Sequence, residues 1–216
     1  MRKKSAEKKI NLILSRLKKK YKEEMQTSLD FKSPWELLVA TMLSAQSQDT
    51  QVNKVTPALF KDYKNPAEYA ALTPKDVQLY IRTLGLYKVK SRNIVKTAKM
   101  ITNEYDGVVP KKMEQLVALP GVGRKTANVV LSNAFGENHG IAIDTHCITV
   151  ANRLFLYNTK SAEKIEEKLM QFVPKREWAN LTHLFIALGR DVCTSRRKIC
   201  ENCVLKDICP SSTVRK

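Results

Sequence analysis

A primary amine, a carboxylate and four thiols stand at spacings that could do chemistry. The amine is Lys125, two residues past the second glycine of Leu119-Pro120-Gly121-Val122-Gly123-Arg124-Lys125-Thr126-Ala127. The carboxylate is Asp144, about 20 residues further on in Ile141-Ala142-Ile143-Asp144-Thr145-His146. The thiols are Cys193, Cys200, Cys203 and Cys209, spaced C-x6-C-x2-C-x5-C within 17 residues. A fifth cysteine, Cys147, falls outside that spacing and is expected inside the helix that follows Asp144.

The glycines read as the turn of a helical hairpin. Pro120 stops one helix, and Gly121 and Gly123 are expected to supply backbone angles that side chains disfavour. The next helix starts at Arg124, with Ala127, Val130, Leu131 and Ala134 facing inward. A bare backbone lets a phosphate come close, and amides at a helix start point at it. Gly121, Val122, Gly123, Arg124 and Thr126 are therefore candidate phosphate contacts, of a kind that carries no base sequence information. The plainer reading is a glycine join between two helices with no ligand.

Lys125 falls in the first turn of that helix, where the macrodipole and Arg124 both disfavour a positive charge. A larger share of free amine follows, and a free amine forms Schiff bases with carbonyl carbons. A lysine paired with phosphate as a point charge fits the hairpin equally well. Asp144 stands directly before a helix, as an N-cap does. Capping keeps a carboxylate ionised, so the same group could accept a proton or stabilise a sugar cation.

Four clustered cysteines in a chain without export signals read as metal ligands before disulfides. A zinc site typically pairs two C-x2-C units, whereas the uneven arms here favour a 4Fe–4S cluster. The first arm carries Arg196, Arg197 and Lys198, a basic loop suited to a phosphate backbone. His139, His146 and His183 lie in unrelated settings and are expected to be structural.

The positioning elements read as helix after helix. Ser33-Pro34-Trp35-Glu36 and Asn65-Pro66-Ala67-Glu68 are helix starts, Thr73-Pro74 opens another, and Asp49 and Ser161 are candidate N-caps. Gly85, Gly107 and Gly136 are expected left-handed stops. Gly140 to Ile143 is a weak strand candidate, so the class is all-α. Leu84-Gly85-Leu86-Tyr87-Lys88 echoes the glycine hairpin.

The chain has 216 residues, 43% of them hydrophobic, and a net charge of +17. That balance points to a polyanionic partner, usually nucleic acid. An anionic membrane is the rival. Ile10, Ile13, Leu14 and Leu17 share a helical face opposite lysines, which suits a docked helix. No long apolar stretch supports a membrane span, and a location in the cytoplasm or on the nucleoid is expected.

Taken together, LSAQ at 43–46, GLYKVKSRNI at 85–94, LPGVGRKTANVVL at 119–131, IDTH at 143–146 and the four cysteines resemble the endonuclease III family of DNA glycosylases and AP lyases. The resemblance spans about residues 30 to 210. It implies a two-domain helix-hairpin-helix fold: a six-helix domain at 27–137, and a discontinuous domain of 1–26 plus 138–216 carrying a 4Fe–4S cluster. It implies that Lys125 is the Schiff-base nucleophile and Asp144 the catalytic aspartate. Gln46 would fill the gap left by an extruded base, and Leu86 would wedge into the opposite strand. Cys193, Cys200, Cys203 and Cys209 would be the cluster ligands. The implied substrate is duplex DNA with oxidised pyrimidines or abasic sites, bound by a monomer. Monofunctional mismatch glycosylases share the fold but lack a lysine at the position of Lys125. Those specific for adenine add a C-terminal domain, for which the seven residues after Cys209 leave no room.

Overall fold

The computed structural model describes residues 3–155 and 157–214. Among them the regular structure is helical, apart from one isolated antiparallel bridge between Cys193 and Lys198. The all-α expectation holds, and the Gly140–Ile143 segment is buried coil rather than strand. The chain divides into two compact units, Ser28–His139 and Met1–Thr27 with Gly140–Lys216.

Ser28–His139 contains α2 (Pro34–Ser44), α3 (Asp49–Asp62), α4 (Pro66–Ala70), α5 (Pro74–Ile81), α6 (Tyr87–Glu104), α7 (Met113–Ala118) and α8 (Arg124–Phe135). The one-turn α4 brings these to seven, where the sequence led to six. Helix α2 is buried from Trp35 to Leu43, as a helix apolar on every face must be. It begins where Ser33 accepts from the Glu36 amide at 3.2 Å, with Pro34 at the first helical position. Asn65 caps α4 in the same way, accepting from the Glu68 amide at 3.0 Å. Helix α2 packs against α3, α6 and α8, and α6 also covers α4 and α5.

Two sequence expectations change here. Gly107 and Gly136 are left-handed stops, with φ of 74° and 70°. Gly85 is not; the left-handed residue of that corner is Leu86, φ 59°, which forms the N-cap of α6. Asp49 is the first residue of α3 and not its cap. Its carboxylate accepts from the Ser28 hydroxyl at 2.6 Å instead.

The other unit is built from α1 (Lys3–Lys20), α9 (Thr145–Phe155), α10 (Ala162–Met170) and α11 (Trp178–Asp191). Ser161 caps α10 as expected. The apolar stripe of α1 is docked: Ile10, Ile13 and Leu17 are fully buried and Leu14 nearly so. Each such side chain contributes about 2 kcal/mol. The lysines at the end of α1 hold it from outside, Lys18 to Glu177 at 2.7 Å and Lys20 to Asp191 at 2.7 Å. Tyr21 donates to the same Asp191 carboxylate at 2.7 Å. No described helix is long and apolar enough to cross a membrane.

The Lys20 and Tyr21 hydrogen bonds hold the Asp191 carboxyl below the ordinary aspartate range. A depressed folded value means stability present above the unfolded value of about 4 and lost as pH falls through the folded one. The group is half-exposed, so the contribution is about 1 kcal/mol or less. Asp191→Asn is expected to lower Tm by roughly 2–4 °C at neutral pH. Thermal melts across pH should show the gap to the parent closing below about pH 4. A gap that stays constant into acid would contradict this role.

Candidate active site and cysteine loop

The glycine hairpin joins α7 to α8. Leu116, Leu119 and Val122 bury their side chains in the core of Ser28–His139, which fixes the turn from inside. Gly121 has φ +80°, a left-handed angle, and a β-carbon there would meet Asn93 atoms at 2.5 to 3.0 Å. Glycine is required on both counts. Gly123 differs from expectation: its φ is −92°, open to any residue, and nothing lies within 4 Å of where a β-carbon would stand. Its bare backbone faces open space. The Val122 amide donates to Leu119 O at 3.1 Å, so its N–H serves the turn itself.

The hydrogen-bond ladder of α8 begins where Ala127 N donates to Gly123 O at 3.0 Å. Amides ahead of it have no acceptor in the helix, which leaves a helix start suited to an anion. Arg124 and Lys125 are exposed in this first turn, and Thr126 is half-buried. No acidic residue stands there to oppose an approaching phosphate.

Helix α6 holds this turn from the side. Asn93 packs on Gly121, and Thr97, fully buried, donates its hydroxyl to Pro120 O at 2.9 Å. One helical face further toward the N-terminus, Lys90 donates to the Ser47 hydroxyl at 2.8 Å. Residues 86, 90, 93 and 97 thus lie along one side of α6, at i, i+4, i+7 and i+11. Sequence reasoning missed Lys90, Asn93 and Thr97 as supports. The available signal was polar residues in register with the buried Ile94, Ala98 and Ile101.

The corner at Gly85 and Leu86 lies against the turn that holds Gln46. A β-carbon on Gly85 would lie 3.7 Å from Gln46 O. Gln46 and Leu86 are both exposed and left-handed, with φ of 55° and 59°. Asp106 and Asn158 also have positive φ, but those residue types tolerate it. A glutamine and a leucine do not take that conformation readily, and such strain collects at functional positions.

Asp144 lies in the other unit from Lys125, half-buried at the start of α9. Its carboxylate accepts from the Cys147 amide at 2.8 Å, so the expected N-cap is formed. Cys147 itself is fully buried. His146 packs on Gly189, where a β-carbon would meet it at 2.8 Å, which is a structural role.

Cys193, Cys200, Cys203 and Cys209 line one cavity together with Arg153, Lys198 and Lys206. Among the described residues no three metal-binding side chains converge tightly enough to hold a single ion. Arg153 spans the loop. Its guanidinium donates to Cys193 Sγ at 3.2 Å and to Thr194 O at 2.8 Å. Its own carbonyl accepts from the Ser211 hydroxyl at 2.9 Å and from Cys209 Sγ at 3.7 Å. Burial opposes ionisation of Cys200, yet hydrogen bonds from Thr213 and Ser212 and the Lys198 charge outweigh it and hold the thiol below its ordinary value. Burial pushes Cys203 and Cys209 up. The donor set and its cations fit a group that binds as thiolates and carries net negative charge.

An exposed glycine turn anchored by buried Leu119 and Val122, a lysine in the next helical turn and a helix-capping aspartate define a helix-hairpin-helix repair protein. Residues 39–175 match the HhH-GPD superfamily base excision DNA repair protein. The chain is 44% identical to endonuclease III of Escherichia coli strain K12 across 85% of its own length and 86% of that protein's. It is 46% identical to endonuclease III of Bacillus subtilis strain 168, covering 82% and 81%. A solved structure of a trapped endonuclease III–DNA covalent intermediate superimposes with a TM-score of 0.88 at 40% identity, over 95% of this chain and 96% of that one. The chain belongs to the endonuclease III family, and it is a DNA glycosylase and AP lyase.

Gly121→Ala is expected to cost about 1–3 kcal/mol, from the φ and the Asn93 clash. Gly123→Ala should leave the melting temperature nearly unchanged, within about 0.5 kcal/mol. Duplex-DNA titration should nevertheless show weaker binding for Gly123→Ala. Unchanged affinity in that variant would remove Gly123 from the phosphate-contacting set.

Proposed function

We propose that this chain removes oxidised pyrimidines from duplex DNA and then cuts the strand 3′ to the abasic site. Carrying this reading is Lys125, an exposed amine in the turn directly after a hairpin built to meet a backbone phosphate. The hairpin amides and Gly123 grip the phosphate, and Arg124 and Thr126 flank it. The damaged base is turned out of the stack. Gln46 fills the gap and Leu86 presses into the opposite strand.

The Lys125 amine attacks the sugar C1′, and the base leaves with the glycosidic electron pair. The Asp144 carboxylate, held in place by its cap, takes the proton that the amine must shed and stabilises positive charge on the sugar. The nitrogen lone pair then expels O4′, which takes up a proton as the sugar ring opens, and the C1′–N linkage becomes a Schiff base. Loss of a C2′ proton then expels the 3′ phosphate by β-elimination. A monofunctional mismatch glycosylase would have no use for an amine at this place.

Cys193, Cys200, Cys203 and Cys209 would hold a 4Fe–4S cluster, which ties the loop and needs no redox step in base removal. Arg153 braces the first and last of these cysteines. Arg196, Arg197 and Lys198 would then meet the DNA backbone as a fixed basic loop. The protein acts as a monomer on DNA in the cytoplasm or on the nucleoid.

Incubation with a thymine-glycol duplex and borohydride is expected to give a covalent protein–DNA adduct. Lys125→Ala should abolish it, and Asp144→Asn should slow base release by roughly 100-fold or more. No adduct with an oxidised pyrimidine or an abasic site would sink the Schiff-base reading. Anaerobically purified protein should contain about four irons per chain and absorb near 400 nm. Arg153→Met should lose that absorbance faster in air. Zinc in place of iron would overturn the cluster assignment.

A further inference from the structure

Lys90 is 5% exposed, and the one side-chain hydrogen bond of its ammonium among the described residues goes to the Ser47 hydroxyl at 2.8 Å. Among the described residues no carboxylate pairs with it, and burial draws it below the ordinary lysine range. Burying a cation without a counter-ion is costly, so this one must be held by its surroundings. Ser47 lies three residues beyond the end of α2, and its amide donates to Ser44 O at 3.0 Å. The C-terminal end of a buried helix favours a cation there. Lys90 thus fastens α6 to the turn that follows α2.

That fastening joins two strained corners. Gln46 stands one residue before Ser47 and is left-handed; Leu86 stands four residues before Lys90 and is left-handed. Gly85 sits against the turn, with Gln46 O 3.7 Å and Ser47 Oγ 4.0 Å from its would-be β-carbon. Two adjacent loops in unfavourable conformations would otherwise relax independently. A side chain filling the gap of a lost base and one wedged into the opposite strand must be a set distance apart.

We infer that the Lys90–Ser47 contact is a positioning device, fixing the spacing between Gln46 and Leu86 so that both enter the helix stack together. This rests on the inserting roles given to those two residues above.

The test uses the full chain with its metal group loaded, and variants Ser47→Ala, Ser47→Thr, Lys90→Met and the double Ser47→Ala/Lys90→Met. The substrate is a thymine-glycol duplex with 2-aminopurine opposite the lesion, whose emission reports unstacking on binding. Ser47→Ala and Lys90→Met are each expected to lower kcat for base release about tenfold. KM should change less than about twofold, and the 2-aminopurine rise should be lost. Ser47→Thr, which keeps the hydroxyl, should restore both. The double variant should be no worse than either single one, because both break the same contact.

Parent-like kcat and emission in Ser47→Ala would overturn the inference, as would losses that multiply in the double variant. If Lys90→Met does not fold, the Ser47 pair of variants still decides the matter. A parent protein that neither releases the base nor forms the borohydride adduct would remove the underlying reading as well. An active parent with an indifferent Ser47→Ala removes this inference alone.

Discussion

Asn93 leaves no room for a β-carbon at Gly121, and that exclusion fixes how the chain enters the turn before Lys125. The packing is backed by Thr97, whose buried hydroxyl meets Pro120 O. Both side chains come from one face of α6, and α6 is itself buried against α2, α4 and α5. A loop has few contacts of its own and is normally the mobile part of a fold. Here the turn borrows the rigidity of a long helix, so the amine after it is presented in a defined place. The same helix carries Leu86 at its start and reaches the Gln46 turn through Lys90. Three short segments of unfavourable backbone are thereby referred to one rigid element.

The cysteine loop follows a similar logic with different chemistry. It is almost without regular structure, a 3-10 turn and one isolated bridge. Its order comes from Arg153, whose guanidinium N–H groups meet the Cys193 end and whose backbone carbonyl accepts at the Cys209 end. Buried thiols resist ionisation, as Cys203 and Cys209 show, yet ligation needs thiolates. The Lys198 charge lessens that conflict at Cys200 and the Lys9 charge does so at Cys209.

Local patterns were legible in the sequence and long-range contacts were not. The stripe at Ile10, Ile13, Leu14 and Leu17 has a helical period, and it is buried as that period requires. Ser33, Asn65 and Ser161 cap helices three residues away, within reach of a local rule. The Asp144 cap was readable for the same reason. Gly85 misled because glycine is the default left-handed residue, while the strained angle sits on Leu86. Gly123 misled likewise: its φ of −92° suits any residue, and open space lies where a β-carbon would stand. Lys90 reads as an ordinary surface lysine, since its partner Ser47 is 43 residues away. Arg153 reads as one more cation in a basic chain, and its partners lie 40 residues on.

Gln46 and Leu86 hold left-handed angles with φ of 55° and 59°. Glycine at either place would relieve a cost of about 1–2 kcal/mol per residue. Elsewhere the chain takes that relief, with glycine at 107, 121 and 136. At Asp106 and Asn158 it uses residue types that tolerate the angle. Among the described residues, only at Gln46 and Leu86 does it keep a long side chain on a left-handed corner, and leave it exposed. Packing cannot explain this, because Leu86 is 54% exposed and buries little. A left-handed corner turns its side chain out of the path of the flanking helices, so the residue projects from the surface. Projection of a large side chain is worth its cost only if something outside the chain receives it. Under the function proposed above, that receiver is the space between base pairs.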